Sequence, residues 1–115
     1  AQIRKFVSNL PAGSNVIVTG DFNAAVNSPP YQAMFDKSST TGESPLVDTY
    51  ASTHANGDEP SGTFNGFKGT ADGARIDWIA TSRNVSIESA TIDRISFDGR
   101  YPSDHFPVTA ILKLK

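Results

Sequence analysis

Hydrophobic residues recur along this chain at spacings that predict a few short helices. The first segment, "AQIRKFVSNL", has four apolar residues at the spacing of one helix face, so it predicts an amphipathic helix with that face buried. These residues are Ile3, Phe6, Val7 and Leu10. The segment "NSPPYQAMFDK" predicts a second helix, with Ser28 as its N-cap and Pro29 in its first turn. "LVDTYAS" predicts one further short helix.

The remaining apolar segments predict strands, several of which are hydrophobic on both faces. These segments are "NVIVTG", "GTFNGF", "ARIDWIATS", "NVSIESATIDRISF" and "FPVTAILKLK". In the fourth of them the apolar residues change parity near Ser89, which predicts a bulge or a break. Strands that are apolar on both faces are typical of a sheet covered on both sides. Because the few predicted helices are enough for one face only, we expect the other face to pack against something else.

Composition limits the chain to a single domain. Its 115 residues, of which 37% are hydrophobic and 19% charged, are typical of one ordinary globular unit. The formal net charge of −2 argues against a stand-alone nucleic-acid-binding protein, which normally carries a basic excess. No apolar run approaches the roughly 20 residues that span a bilayer. The absence of cysteine excludes disulfides and thiolate chemistry and leaves the compartment undecided, with a secreted or periplasmic location slightly favoured.

Polar side chains directly follow the first predicted strand, in "TGDFNA". Asp21 and Asn23 are two residues apart, so in an extended segment their side chains point the same way and project from one edge of the sheet. The simpler interpretation is a turn, since Gly, Asp and Asn are common in turns and an Asx-turn accounts for them. These residues alone leave both interpretations open.

Asp77 is an unusual carboxylate, because it lies among apolar residues in "ARIDWIATS". Burying an unpaired charge costs several kcal/mol, so we expect Asp77 to have a partner. Arg75 is one candidate, since structural Asp–Arg pairs are common. The other candidate is His105, in "SDHFPV" near the end of the chain.

His105 is one of two histidines in the chain, and Asp104 precedes it. Histidine is the side chain best suited to proton transfer near neutral pH, although a lone histidine is more often structural than catalytic. A carboxylate that holds the imidazole, as Asp77 would, favours the catalytic interpretation. For the aromatic residues Trp78 and Phe106, in contrast, we expect positions in the hydrophobic core.

Taken together, "GDFN", "RIDWI" and "SDHFPV", in this order and each at a strand end, resemble the C-terminal half of the endonuclease/exonuclease/phosphatase superfamily. The resemblance covers essentially the whole chain, and "TFNGF" and "YPSDHFPV" are most similar to bacterial members and to deadenylase-like branches. It implies a DNase I-like fold of the α/β (α+β) class, a sandwich of two sheets with helices outside. Residues 1–115 would form half of it, one mixed, largely antiparallel sheet with helices on one face.

The resemblance also implies a role for each matching residue in a Mg²⁺- or Mn²⁺-dependent phosphodiesterase or phosphatase. Asp21 would position or deprotonate the attacking water, and Asn23 would hydrogen-bond the scissile phosphate. Asp104 would help to hold the metal ion. His105 would contact the phosphate, with Asp77 fixing its tautomer, and which of Asp21 and His105 is the general base stays open. Oxygen ligands suit Mg²⁺ or Mn²⁺ better than softer ions.

A loop rich in glycine, "TFNGFKGTADG", corresponds to the part of the family fold that lines the substrate groove. Phe64, Asn65 and Phe67 are therefore candidates for substrate contact. The substrate itself is open, since family members cut nucleic acids, phosphoinositides, lipid head groups and small phosphate esters.

This sequence departs from the family pattern in one large respect. The N-terminal half of the family domain contributes a metal-binding Glu, an Asn and further phosphate-contacting residues, none of which is matched here; acids such as Glu43, Asp58 and Glu59 fit no family motif. We therefore expect an enzymatic parent and a fragment that is inactive alone, lacking the N-terminal half as a partner. A homodimer through the bare sheet face is a second expectation. The alternative function is a non-catalytic binding module that retains the fold.

Overall fold

The computed structural model describes residues 2–55 and 60–115 of the chain. Its helices are α1 (Gln2–Ser8), α2 (Pro29–Phe35) and α3 (Thr49–Thr53). Its strands are β1 (Ile17–Asp21), β2 (Leu46–Asp48), β3 (Asp77–Ser82), β4 (Ser86–Ile92) and β5 (Val108–Lys113). Asp58 and Glu59 lie outside the described residues. Within the described part of the chain, every helix is too short to cross a membrane.

The helices and antiparallel strands confirm the mixed fold class, but the strands form two hydrogen-bonded sheets rather than one. β1, β3 and β2 form a three-stranded sheet in the order β1-β3-β2, and β4 pairs with β5 in a separate two-stranded sheet. All of these pairs are antiparallel, so the mixed pairing that the sequence predicted is not found among the described strands. The sheets stay separate because residues 63–66, which form no strand, hydrogen-bond on one side to Ala74 and on the other to residues 104–106.

Several boundaries follow the sequence closely. α2 begins at Pro29 after Ser28, as expected, and the register between β4 and β5 shifts between Ile87 and Ser89, which confirms the predicted bulge. "LVDTYAS" is not one helix, because its first three residues pair with β3 as β2. The helix begins only after Asp48, whose side chain accepts hydrogen bonds from the N–H groups of Tyr50 and Ala51 and so caps α3.

The predicted apolar face of α1 is wrong in part: Val7 is buried as expected, but Phe6 is 67% exposed and Arg4 is buried instead. Arg4 is buried because its guanidinium donates to four oxygens in the C-terminal turn of α2 and the turn after it. These acceptors are Ala33 O, Asp36 O, Thr41 Oγ1 and Gly42 O. Carbonyls at a helix C-terminus lack partners within the helix, so a buried cation there is well compensated.

Among the residues that the structure describes, two hydrophobic clusters form the core. The first packs α1 and α2 on one face of the three-stranded sheet and contains Val7, Tyr31, Met34, Leu46, Trp78 and Ala80. The second joins α3 to the two-stranded sheet and contains Tyr50, Ala90, Ile92 and Phe106. Trp78 and Phe106 are thus core residues, as predicted, and Phe22 stacks on Trp78 with ring centroids 4.5 Å apart.

A buried polar network connects the two clusters. Asp48 accepts hydrogen bonds from Tyr31 Oη at 2.7 Å and forms a two-pronged ion pair with Arg75 at 2.7 and 3.2 Å. The Arg75 guanidinium lies 5.0 Å from the centre of the Tyr50 ring. Burial and the bond to Asp48 raise the pKa of Tyr31, so its hydroxyl remains a donor. Asp48 therefore holds elements of both clusters together.

The opposite face of the three-stranded sheet carries both apolar and acidic side chains. The register pairs Thr19 with Ile79 and Asp21 with Asp77, and residues paired in this way point to the same face. Ile17, on this face of β1, is 48% exposed, in agreement with the expectation that the helices of this chain cover only one face of the sheet. The acidic end of this face is where the candidate site lies.

Candidate active site

The site begins with two carboxylates that lie side by side at the end of the sheet. Asp21 is the last residue of β1 and Asp77 the first of β3, and the register places them directly opposite each other. Like charges in such a pair repel each other, so the arrangement costs stability unless a positive group lies between them. Asp21 also accepts a hydrogen bond from Asn23 N–H at 3.0 Å, so the Asx-turn of the simpler interpretation is present as well.

His105 lies between these carboxylates. Its Nδ1 is 2.7 Å from Asp77 Oδ2, and its Nε2 is 3.8 Å from Asp21 Oδ2 and 4.0 Å from Asp104 Oδ1. The partner of Asp77 is thus His105 and not Arg75, whose guanidinium pairs with Asp48. With Nδ1 directed at a carboxylate, the neutral ring carries its proton on Nδ1 and leaves Nε2 free towards the other two acids.

The segment that carries His105 is fixed by its neighbours on both sides. Ser103 Oγ accepts the His105 N–H at 3.0 Å, and Phe106 is buried in the second core cluster. Phe64 forms a backbone bridge with His105, and its ring lies edge-on to the imidazole with centroids 5.5 Å apart. The imidazole is therefore held in place by backbone and ring contacts as well as by Asp77.

The acids around the imidazole control its charge. The hydrogen bond to Asp77 raises the pKa of His105 above the ordinary value of 6.5, partial burial lowers it, and the negative charges of Asp77, Asp21 and Asp104 raise it further. The net direction is upward. A larger fraction of this histidine is therefore protonated at neutral pH than of a free imidazole.

Replacing Asp77 by Asn should lower the pKa of His105, because the largest cause of the upward shift is removed. Since the folded-state pKa is raised, protonated His105 stabilises the fold fully below the ordinary value, and this contribution disappears as the pH rises through the folded pKa. NMR titration of the two histidines in metal-free chain measures the shift, with His54 as the second resonance. An unchanged or higher pKa in Asp77→Asn would contradict the stated cause.

One ligand atom from each of Asp21, Asp77 and His105 lies within 4.8 Å of the others, a spacing that could hold a metal ion. Asp104, the ligand that the resemblance implies, is not in this group, but its carboxylate faces the same imidazole nitrogen as Asp21. The hydrogen bond to Nδ1 engages Asp77, whereas Asp21 and Asp104 are more exposed. Mg²⁺ is commonly held by one or two carboxylates plus water and substrate, so the carboxylates of this site are of a kind that suits such an ion.

The remaining predicted residues lie at different depths. Asn23 is exposed and has a left-handed backbone with φ of 48°. Phe67 is also exposed and left-handed, with φ of 64°, a conformation that is strained for an aromatic residue. Asn65 is only 4% exposed, and its side-chain oxygen accepts the Phe67 N–H at 2.7 Å, so its amide maintains the loop. Substrate contact by Phe64, Asn65 or Phe67 stays a prediction.

Sequence reasoning missed two residues that contact the site. These are Ser103, which accepts the His105 N–H, and Thr63, whose hydroxyl accepts the N–H groups of Ile76 and Asp77. Both bond to main-chain groups. No residue pattern marks such a contact, so no signal in the sequence could have identified either one.

Comparison with known proteins links this geometry to a family. The model of a family described as the Endonuclease/Exonuclease/phosphatase family matches residues 2–105. Among curated proteins, no match was found.

Solved structures give the same result. A functionally unknown conserved protein from Enterococcus faecalis V583 is 26% identical, with a TM-score of 0.74, and the match covers 98% of this chain and 42% of that one. A mannosyl-6-phosphatase from Bacteroides thetaiotaomicron VPI-5482 is 25% identical, with a TM-score of 0.66 and the same two coverages. A family protein from Bacteroides thetaiotaomicron is 26% identical, with a TM-score of 0.70, and the match covers 96% of this chain and 41% of that one. The chain thus spans well under half the length of these structures.

Proposed function

Because this chain belongs to the Endonuclease/Exonuclease/phosphatase family, we propose that it supplies part of the active site of a metal-dependent hydrolase of phosphoester bonds. The observation that carries the proposal is the cluster of Asp21, Asp77 and Asp104 around the imidazole of His105. An imidazole oriented by one carboxylate, with its free nitrogen facing two more, is suited to proton transfer at a site that also needs a cation.

The charge of the cluster supports a divalent cation as cofactor. Three carboxylates surround one imidazole, and within residues 2–55 and 60–115 no Lys or Arg forms an ion pair with any of them. A phosphate approaching this cluster would be repelled unless a cation reduced the negative charge. Asp21 and Asp104 are the residues that would hold Mg²⁺ or Mn²⁺, which supplies charge neutralisation on the phosphate oxygens when bound.

The raised pKa of His105 favours one division of roles between the two candidate bases. A protonated His105 presents an Nε2–H donor, which suits a contact to a phosphate oxygen or protonation of the leaving group. Asp21, exposed and without a Lys or Arg in an ion pair with it among the described residues, is then the group that orients or accepts a proton from water. Asn23, fixed to Asp21 by the turn, would donate its side-chain amide to the phosphate.

A phosphomonoester is the substrate class that the available features favour. The net charge of −2, and the absence of any Lys or Arg in an ion pair with the three carboxylates among residues 2–55 and 60–115, provide little attraction for a long nucleic acid. One structurally similar protein is a mannosyl-6-phosphatase, so sugar phosphates are the first compounds to test. Phe64 and Phe67 on the loop beside His105 would contact the organic part of the substrate.

Activity is proposed to need more than these 115 residues, since the solved structures extend far beyond the matched part. The exposed sheet face with Ile17 is where we propose that the rest of the domain packs. A homodimer through that face stays a prediction.

A full-length protein that contains this chain should release phosphate from sugar phosphates with Mg²⁺, and a chelator should abolish the release because the carboxylate cluster would again repel phosphate. A colorimetric phosphate assay over a panel of monoesters and one diester measures this, with the 115-residue chain alone as the matched sample, for which we expect no turnover. Absence of hydrolysis of every ester by the full-length protein with Mg²⁺ and with Mn²⁺ would contradict the proposal and favour a binding module.

A further inference from the structure

Thr63 lies where three backbone segments behind the site meet, namely residues 63–66, residues 74–77 and residues 104–106. It is completely buried, and its backbone N–H, its backbone carbonyl and its hydroxyl all form hydrogen bonds. Its N–H donates to Ala74 O at 3.0 Å, and its carbonyl accepts the Phe106 N–H at 2.7 Å. Its Oγ1 accepts the N–H groups of Ile76 at 2.9 Å and Asp77 at 3.2 Å. One residue therefore bonds to the backbone on each side of the Asp77–His105 pair.

These contacts determine how far apart the two members of the pair lie. Asp77 is the first residue of β3, and the Thr63 hydroxyl fixes its N–H, so the position of its carboxylate depends on this bond. His105 immediately precedes Phe106, whose N–H is held by the Thr63 carbonyl. Since the hydroxyl has two acceptor sites, it can bind both N–H groups of residues 76 and 77 at once.

We propose that Thr63 is a positioning residue that holds Asp77 against Nδ1 of His105 and thereby keeps the neutral imidazole in its Nδ1–H form. This inference depends on the proposed function only for its catalytic consequence. The geometric part concerns the chain itself. Without the hydroxyl, the two part-buried N–H groups of Ile76 and Asp77 lose their acceptor, so the start of β3 is no longer held in place and can shift.

The chain contains a matched control in Thr81. It is also a threonine, is also completely buried, and belongs to β3. Its hydroxyl, however, has no hydrogen-bond partner among residues 2–55 and 60–115. Replacing Thr81 by Val therefore makes the same chemical change as Thr63→Val. It does so in the strand that contains Asp77, but it removes no hydrogen bond to Asp77.

The direct test is the tautomer of His105 in the 115-residue chain, read from imidazole ¹⁵N shifts at an alkaline pH where both histidines are neutral. Wild type, Thr63→Ser and Thr81→Val should show Nδ1–H at His105, and Thr63→Val should move the population towards Nε2–H. Thr63→Ala is a second variant that removes the hydroxyl. An Nδ1–H form retained in Thr63→Val or Thr63→Ala would overturn the proposal. It would also be overturned if both variants lost the wild-type circular dichroism while Thr63→Ser kept it, since the hydroxyl would then serve folding alone.

The catalytic consequence is tested in a full-length protein that contains the chain. Thr63→Val should lower kcat by about 10- to 100-fold with little change in KM, because a small displacement of a proton-transferring group has effects of that size. Thr63→Ser should restore most of the rate, and Thr81→Val should leave it unchanged. Equal rates in wild type and Thr63→Val would overturn the proposal. An inactive wild-type protein would instead count against the proposed function, and the tautomer measurement would still decide the position of Asp77.

Discussion

Replacing His105 by alanine should lower kcat/KM for phosphoester hydrolysis by about 10³-fold or more in a full-length protein that contains this chain. General acid–base groups contribute roughly 10²- to 10⁴-fold, and this imidazole is also the only cationic group among the three carboxylates in the described residues. Its loss leaves the repulsion between Asp21 and Asp77 uncompensated. Initial rates over a range of substrate concentration, with saturating Mg²⁺, measure the effect.

The other histidine provides the control for this measurement. His54 stacks on Tyr50 with centroids 3.9 Å apart, and its Nδ1 lies 3.0 Å from Tyr50 O, away from the acidic cluster. His54→Gln should therefore change kcat/KM by less than about threefold, the effect of a residue outside the site. Because a lost activity also follows from unfolding, both variants need wild-type circular dichroism. A His105→Ala protein within tenfold of wild type would remove this residue from the mechanism.

The pair of Asp77 and His105 could be predicted in part from the sequence, because a carboxylate in an apolar strand segment is unfavourable without a partner. A carboxylate between apolar residues in a strand needs a partner, and Asp77 had two candidates. The sequence alone does not show which of the two pairs with Asp77. The answer depends on Asp48, which lies 27 residues before Arg75 and forms an ion pair with it. Once Arg75 is paired with Asp48, His105 is the partner that remains for Asp77.

The errors in the predicted fold arise from contacts between elements. The apolar spacing in α1 does not indicate that Arg4 is buried. Arg4 is buried because its guanidinium donates hydrogen bonds to carbonyls at the C-terminal end of α2. Periodicity describes a helix by itself and contains no information on such a neighbour. The single predicted sheet failed for a similar reason, since residues 63–66 occupy the space between the two sheets without forming a strand.

Replacing Asp48 by alanine should destabilise the chain by about 3–5 kcal/mol, the cost of leaving one member of a buried ion pair without its partner. Arg75 would remain buried and uncompensated, Tyr31 would lose its acceptor, and α3 would lose its N-cap. Since small domains are stable by only about 5–15 kcal/mol, much of the fold's stability would be lost. Urea unfolding followed by Trp78 fluorescence measures the free energy, because this tryptophan lies in the first core cluster.

An exposed ion pair in the same chain shows whether burial or charge alone causes the loss of stability expected for Asp48→Ala. Glu43 pairs with Arg83 at 3.1 Å, with side chains 68% and 52% exposed, so Glu43→Ala should cost no more than about 1 kcal/mol. Replacing both Asp48 and Arg75 by apolar residues of similar size should recover part of the loss, since the charge left without a partner is then removed as well. If Asp48→Ala and Glu43→Ala lowered stability equally, the network between the two clusters would not be what joins them. The two sheets would then have to be held together by the hydrophobic contacts of α3 with β4 and by residues 63–66.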